Sequence, residues 1–363
     1  MNKKDITFLY AMPPLHHIQI CMDEMEGFKK FGIRCYEFTY GNNSNDNKFI
    51  KLLLTLVKSG DLIFKSWKYK PSHLYLNSRI TKISFLRDFI TIGLLKFFYP
   101  FKFKIIYKSH GSDVSVFESP TFLHRISTTY LKRKIDYWLV LSKEEIENLS
   151  YYICKSKIAS FKNIVNISNS PSSTPSVLKN YPISNFKILY AGRLIREKGI
   201  FEIIESIEKF NFKEECTFIF AGDGPEKESL NELVKEKKID NILFLGNISE
   251  PQLDQLYKEV DLLLFPSHEE GFSMVLFNSV ASALPIITTQ IRAAKDYLRE
   301  PENTLWVEIN NPSMIAAKLN ELFVNKELRM TMSKNNYNLG QSFDQDTVCK
   351  EILEKIKLIY CND

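Results

Sequence analysis

Arg193 and Lys198 stand five residues apart in Ile188-Leu189-Tyr190-Ala191-Gly192-Arg193-Leu194-Ile195-Arg196-Glu197-Lys198-Gly199. A strand-like apolar run precedes them and a helix-like segment follows. A turn from strand into helix offers unpaired backbone N–H groups and the positive end of a helix dipole, which together favour an anion. A guanidinium and an ammonium add full charges suited to a diphosphate, with Gly192 at the strand end. A basic pair in a loop is elsewhere a solvated face; the strand–turn–helix placement is what makes this one a motif.

A second glycine turn, Phe220-Ala221-Gly222-Asp223-Gly224-Pro225, also follows a strand-like run; alone it is a common structural turn. The third element is Phe265-Pro266-Ser267-His268-Glu269-Glu270-Gly271-Phe272-Ser273-Met274-Val275-Leu276-Phe277-Asn278-Ser279. Here an acid lies in the loop after a buried strand. Gly271 lets the chain approach a ligand, and a helix begins near Ser273. Backbone N–H groups of Phe272, Ser273, Met274 and Val275 could cradle phosphate while Glu270 accepts hydrogen bonds from sugar hydroxyls. Glu269 and His268 read as loop surface.

The elements that must position these groups alternate in type. Strands are expected at Ile6–Tyr10, Arg34–Phe38, Asp61–Lys65, Phe103–Ser109, Tyr137–Leu141 and Lys157–Phe161. In the second half they are expected at Phe186–Tyr190, Thr217–Ala221, Ile242–Leu245, Asp261–Phe265 and Ile286–Thr289. Helices are read at Ile18–Phe31, closed by Gly32, and at Gly199–Phe210, where Ile200, Ile203, Ile204, Ile207 and Phe210 mark one buried face. This is the α/β pattern of parallel sheets covered on both faces. The stretch 168–176, rich in Ser and Pro, reads as the linker. The expected domains are 1–175, joined by a terminal helix near 343–363, and 176–342, facing a cleft with ligands at the carboxyl ends of the strands.

The 363 residues suit two domains, and 44% hydrophobic with 25% charged residues is the composition of a globular chain. Residues 1–180 hold 27 Lys+Arg against 14 Asp+Glu, a net of +13; the remainder holds 21 against 29, a net of −8. The basic half suits an anionic partner, although the same imbalance also serves solubility or docking. Six scattered cysteines, without a CxxC pair, argue for a reducing compartment and against a disulfide framework or zinc site. Neither a signal-peptide core nor a run of about 18 uncharged apolar residues is found. Basic residues do not gather with aromatics in a nucleic-acid module. Ile80–Phe103 mixes fourteen Phe, Tyr, Leu and Ile residues with Lys82, Arg87, Lys96 and Lys102. It reads either as a crossover helix or as an amphipathic contact with an anionic membrane or lipid-linked acceptor.

The order GRL–x–x–EKG, GDGP, FLGN, then PS–x–x–EGF and a helix resembles glycosyltransferase family 4, retaining enzymes of the GT-B fold. The likeness is dense over Phe186 to Leu298 and thinner elsewhere. Lys108-Ser109-His110-Gly111-Ser112-Asp113 resembles the family's HG-x-D segment, Asp136–Leu149 its strand ending in a serine (Ser142), and Lys162–Asn166 its strand-end asparagine. The helix near Asp346–Ile359 resembles the terminal helix that crosses back to the first domain.

The resemblance implies that Arg193 and Lys198 hold the donor diphosphate and that Glu270 lies near the transferred sugar, with His110 reaching it from the other domain. Gly192, Gly222, Gly246, Asn247 and the Gly271–Val275 backbone would complete the donor site, with Leu245-Gly246-Asn247 near the base. Asp113, with His16 and His17, falls on the acceptor side, although Asp113 equally reads as a helix cap. Asn278 stands where the family usually has a second glutamate on the donor ribose, and an amide still hydrogen-bonds a hydroxyl. The loop Ala11–His17 and Ala293-Ala294 lack glycines usual there. No DxD-type pair of acids sits at a comparable loop, which fits a metal-independent enzyme with no cofactor beyond the nucleotide-sugar donor. The reading is a cytoplasmic transferase at the inner membrane face, assembling a surface polysaccharide or glycolipid. The alternatives are a catalytically weak or inactive nucleotide-sugar-binding subunit and a nucleotide-sugar epimerase.

Overall fold

Leu262–Phe265 is four apolar residues in succession, all buried. A strand that hides both of its faces needs helices above and below it, the signature of a parallel sheet. The computed structural model describes residues 6–13, 18–41, 47–119, 121–165 and 185–360. The chain divides into two units, Met1–Ile164 with Gln345–Asp363, and Val165–Asp344.

The first unit runs β1 (Thr7–Met12), α1 (Ile18–Lys30), β2 (Arg34–Thr39), α2 (Lys48–Tyr69), β3 (His73–Ile80), α3 (Lys82–Phe98), β4 (Lys104–Ser112), α4 (Phe122–Lys134), β5 (Tyr137–Val140), α5 (Lys143–Ser150) and β6 (Ile158–Ser160). Its sheet is parallel throughout, in the order β2-β1-β3-β4-β5-β6. The chain reverses direction across the sheet after β2. Right-handed crossovers therefore put α1 on one face and α2, α3 and α4 side by side on the other.

The second unit runs β7 (Phe186–Ala191), α6 (Ile200–Lys209), β8 (Cys216–Ala221), α7 (Lys227–Glu236), β9 (Ile242–Gly246), α8 (Glu250–Glu259), β10 (Leu262–Phe265), α9 (Met274–Ala281), β11 (Ile286–Thr289), α10 (Arg292–Tyr297), β12 (Leu305–Val307), α11 (Pro312–Val324) and α12 (Lys326–Gly340). Its parallel order is β12-β11-β10-β7-β8-β9. The chain winds outward from β7 to β9 and then restarts beside β7 with β10. The switch point, where ligands of such sheets bind, lies between β7 and β10. The last helix, α13 (Gln345–Tyr360), packs on α1 of the first unit, where Gln345 Nε2 donates to Asp23 O at 2.6 Å, and reaches β6, where Lys355 Nζ donates to Ser160 O at 2.6 Å.

One expected strand is wrong. Asp61–Lys65 lies inside α2, whose inward residues Thr55, Ser59, Leu62 and Ser66 repeat every three or four positions. Its short apolar run resembles a strand only when read without its neighbours. Two strands were missed. β3 buries nearly every residue, but Asn77 and Ser78 interrupt its apolar pattern; β12 has only three residues. The stretch 168–176, read as the linker, lies outside the described residues. Within Ile80–Phe103 the helix is α3, capped by the Thr81 side chain, with Phe85, Thr91, Ile92 and Leu95 buried. Among the described residues no helix is long and apolar enough to cross a membrane.

Candidate functional site

The loops after β7 and β10 flank the switch point of the second unit. Gly199 has φ +70, and a Cβ there would stand 2.2 Å from the Pro266 carbonyl oxygen, so only glycine lets the two loops touch. His268 N–H donates to Glu197 O at 2.8 Å across the same seam. This contact brings Lys198 and Glu270 into a direct ion pair, with side chains 12% and 23% exposed. The Arg196–Lys198 segment is a short 3-10 turn, so α6 begins only at Ile200. Arg193 is exposed in the same loop, and its carbonyl accepts from the Tyr190 hydroxyl at 2.8 Å.

Ser273 caps α9 by accepting from Leu276 N at 3.3 Å. The first-turn N–H groups of Met274 and Val275 have no acceptor within the helix and remain for a ligand or water. Phe272 is buried and stacks on Phe277 at 4.1 Å, which fixes the backbone of Gly271 and Phe272 at the helix start. Ala293 N–H donates to Gly271 O at 3.2 Å, and Ala293 and Ala294 are buried in α10. On α9, the Asn278 amide oxygen is buried with no hydrogen-bond partner. An orphaned acceptor costs about 1–3 kcal/mol unless something donates to it, so this oxygen suits a ligand hydroxyl.

The glycines after β8 and β9 have a packing role. A Cβ on Gly222 would lie 1.8 Å from Gly192 O, and one on Gly224 2.4 Å from Leu194 O. Gly192 N–H donates to Ala221 O at 2.9 Å, and Gly222 N–H to Gly246 O at 2.8 Å. These turns therefore interlock, and the GDGP segment holds the Arg193 loop in place. Gly246 has φ +67 with open space where a Cβ would be, and Asn247 beside it is exposed.

The two loop residues read as surface differ. Glu269 is exposed and pairs with Arg292 at 2.9 Å. His268, half-buried, places Nε2 2.8 Å from Glu202 on α6; it braces the loop, which corrects the reading of His268 as loop surface.

In the first unit His110 lies at the end of β4, with Nε2 3.2 Å from Asn77 Oδ1. The Asn77 amide nitrogen is committed to Ala11 O at 2.8 Å, so its oxygen must accept and the His110 Nε2 carries the proton. Asn77 thus ties β1, β3 and β4 together at this sheet's own switch point. Sequence reading missed Asn77 because it missed β3; a polar residue closing a strand-like run was the available signal. Asp113 is exposed and accepts from Ser115 N–H at 3.0 Å, capping a short 3-10 turn, which selects the cap of its two readings as its present contact. His16 and His17 lie outside the described residues.

Residues 179–339 match the family model of the glycosyl transferases group 1. This group 1 segment covers every donor-side residue named above. An uncharacterized glycosyltransferase of Methanocaldococcus jannaschii, MJ1178, is 26% identical over 64% of this chain and 62% of its own. The capsular polysaccharide biosynthesis glycosyltransferase CapM of Staphylococcus aureus is 28% identical over 47% of this chain and 46% of its own. The chain thus spans about half to two thirds of these relatives. Anabaena HepE, solved with UDP and glucose, superposes with a TM-score of 0.71 at 16% identity, over 97% of this chain and 99% of that one. The two Rossmann-like units and the returning helix are therefore the GT-B fold.

Proposed function

We propose that the chain is a retaining, metal-independent glycosyltransferase that moves a sugar from a nucleoside diphosphate onto a glycan or lipid-linked acceptor, in surface polysaccharide or glycolipid assembly. The observation that carries the reading is the pairing of Lys198 with Glu270 at the switch point, beside Arg193 and the start of α9. The group 1 match, the name of CapM and the UDP-glucose chemistry of HepE's ligands support it.

Cleaving the bond from sugar to diphosphate builds negative charge on the leaving phosphate and positive charge on the ring. In this proposal Arg193, Lys198 and the first-turn N–H groups of α9 take up the negative charge. Without donor, Glu270 neutralises Lys198; with donor, the ammonium turns to phosphate and the carboxylate to sugar hydroxyls. Asn278 accepts from the ribose, and Gly246 and Asn247 lie at the base. His110 remains a proposed catalytic residue, held in one tautomer by Asn77.

The test is nucleoside diphosphate release from a panel of nucleotide sugars with membrane extract as acceptor source, in the presence of EDTA. Release is expected with one donor and to persist under chelation. Glu270→Ala and His110→Ala lower it about 100-fold or more while nucleotide binding is kept. Binding without release across the panel would instead mark a non-catalytic nucleotide-sugar subunit. Intact turnover in Glu270→Ala removes its assigned place.

A further inference from the structure

Surface helices mostly point polar groups outward; α2 also turns a stripe of apolar side chains to solvent. Leu53, Val57, Phe64 and Trp67 fall on one stripe at spacings of four, seven and three, and each is at least half exposed. Leu56 on the same side is also exposed, and Gly60 lies within the stripe. The apolar surface continues beyond the helix. The Trp67 indole N–H donates to Phe98 O at 3.1 Å, at the end of α3, and its ring meets Phe101 edge-on at 5.3 Å. Phe98 and Phe101 are themselves half exposed. This is a fixed surface of aromatic and aliphatic groups, because the indole is pinned by its hydrogen bond.

The same layer is strongly basic. Helices α2, α3 and α4, side by side on one sheet face, carry twelve Lys and Arg against two acids, Asp61 and Asp88. Both acids are neutralised locally: Asp61 by Lys65 at 2.8 Å, and buried Asp88 by Arg87 at 2.7 Å. Lys68, Lys70, Lys82 and Lys102 are exposed. Apolar side chains with cations around them and an excess of positive over negative residues match one occupant, the anionic surface of a lipid bilayer. Aromatic rings with a polar edge, such as the Trp67 indole, suit the headgroup level. A second copy of the chain, docked by the same face, would bring like charges together, which opposes a symmetric dimer.

We propose that this α2–α3–α4 face is a peripheral docking surface for an anionic membrane, with Phe64, Val57 and Trp67 entering the interface and the surrounding lysines facing the headgroups. The surface belongs to the first unit and the residues assigned to the donor to the second, so the proposal does not depend on the transferase reading.

The experiment is flotation of the full chain with vesicles of phosphatidylcholine alone and of phosphatidylcholine with about 30% phosphatidylglycerol, a content chosen to give a clear surface charge. The protein is expected to float with the anionic vesicles, to stay behind with the neutral ones, and to be partly released by high salt. Val57→Ser with Phe64→Ser reduces binding about tenfold or more, because exposed side chains leave the fold intact while their insertion is lost. An unchanged circular dichroism spectrum and an unchanged urea unfolding transition in this variant establish that it is folded. Equal binding to neutral and anionic vesicles, no binding, or full binding by the double variant overturns the proposal. So does a dimer in light scattering that the double variant dissolves, since the face would then belong to a second copy.

Discussion

Asn278 is the residue whose chemistry is most exposed by its surroundings. Its amide oxygen is buried and has no partner, so Asn278→Ala takes no hydrogen bond from the free protein. The variant is expected to melt close to the parent and to bind nucleoside diphosphate about three- to tenfold more weakly, measured by calorimetry. His73 makes a different prediction. Burial, with Lys104 as the second cause, lowers its pKa from 6.5 to about 4. The folded state therefore binds fewer protons than the unfolded one between those values, and stability falls as pH drops through that window. Between pH 7 and pH 5 this group alone removes about 2 kcal/mol, a loss that urea denaturation finds absent in His73→Gln. Much at this scale was legible in sequence. Arg193, Lys198, Glu270 and Asn278 were named from type and spacing together with the family resemblance. The His268–Glu202 contact was not legible, because it joins positions 66 apart through the packing of α6.

At the scale of elements, loops placed by strand order do the positioning. The segment after β7 and the segment after β8 interlock backbone to backbone, with Gly222 at φ +153. Gly222→Ala must both strain that φ and displace Gly192 O, a cost of about 2–4 kcal/mol. Urea unfolding of the variant reports the loss, and weaker nucleotide binding accompanies it because the Arg193 loop shifts. The sequence displayed these glycines but not their reason: a GDG turn looks the same whether it faces solvent or another backbone. The misreading of Asp61–Lys65 has a similar origin. Five residues of strand-like composition carry less information than the 22-residue helix around them, and α2 shows its period only when Leu53 to Trp67 are taken together.

At the scale of the whole molecule, α13 belongs to the unit at the other end of the chain. It is seated on α1 at Gly27, where a Cβ would approach Cys349 Sγ to 2.4 Å. Beneath that contact lies a buried ion pair, Glu24 with Lys108 at 2.7 Å, to which the Tyr10 and Tyr75 hydroxyls also donate. Gly27→Val is expected to lift α13 from α1 at a cost of about 1–3 kcal/mol. Hydrogen exchange should then lose protection in α1 and α13 but not in the strands of Val165–Asp344, since the units have separate cores.

The sequence alone determined the alternation of strand and helix, the strand-to-helix turn that carries Arg193 and Lys198, and the acidic loop, because each is written in a short run of neighbours whose local propensities agree. Tertiary structure alone decided that Lys198 meets Glu270, that Asn77 holds His110, and that α2 turns its apolar stripe outward. Those outcomes depend on strand order and helix packing, which join residues far apart in the chain, and no local pattern records which distant partner a side chain will find.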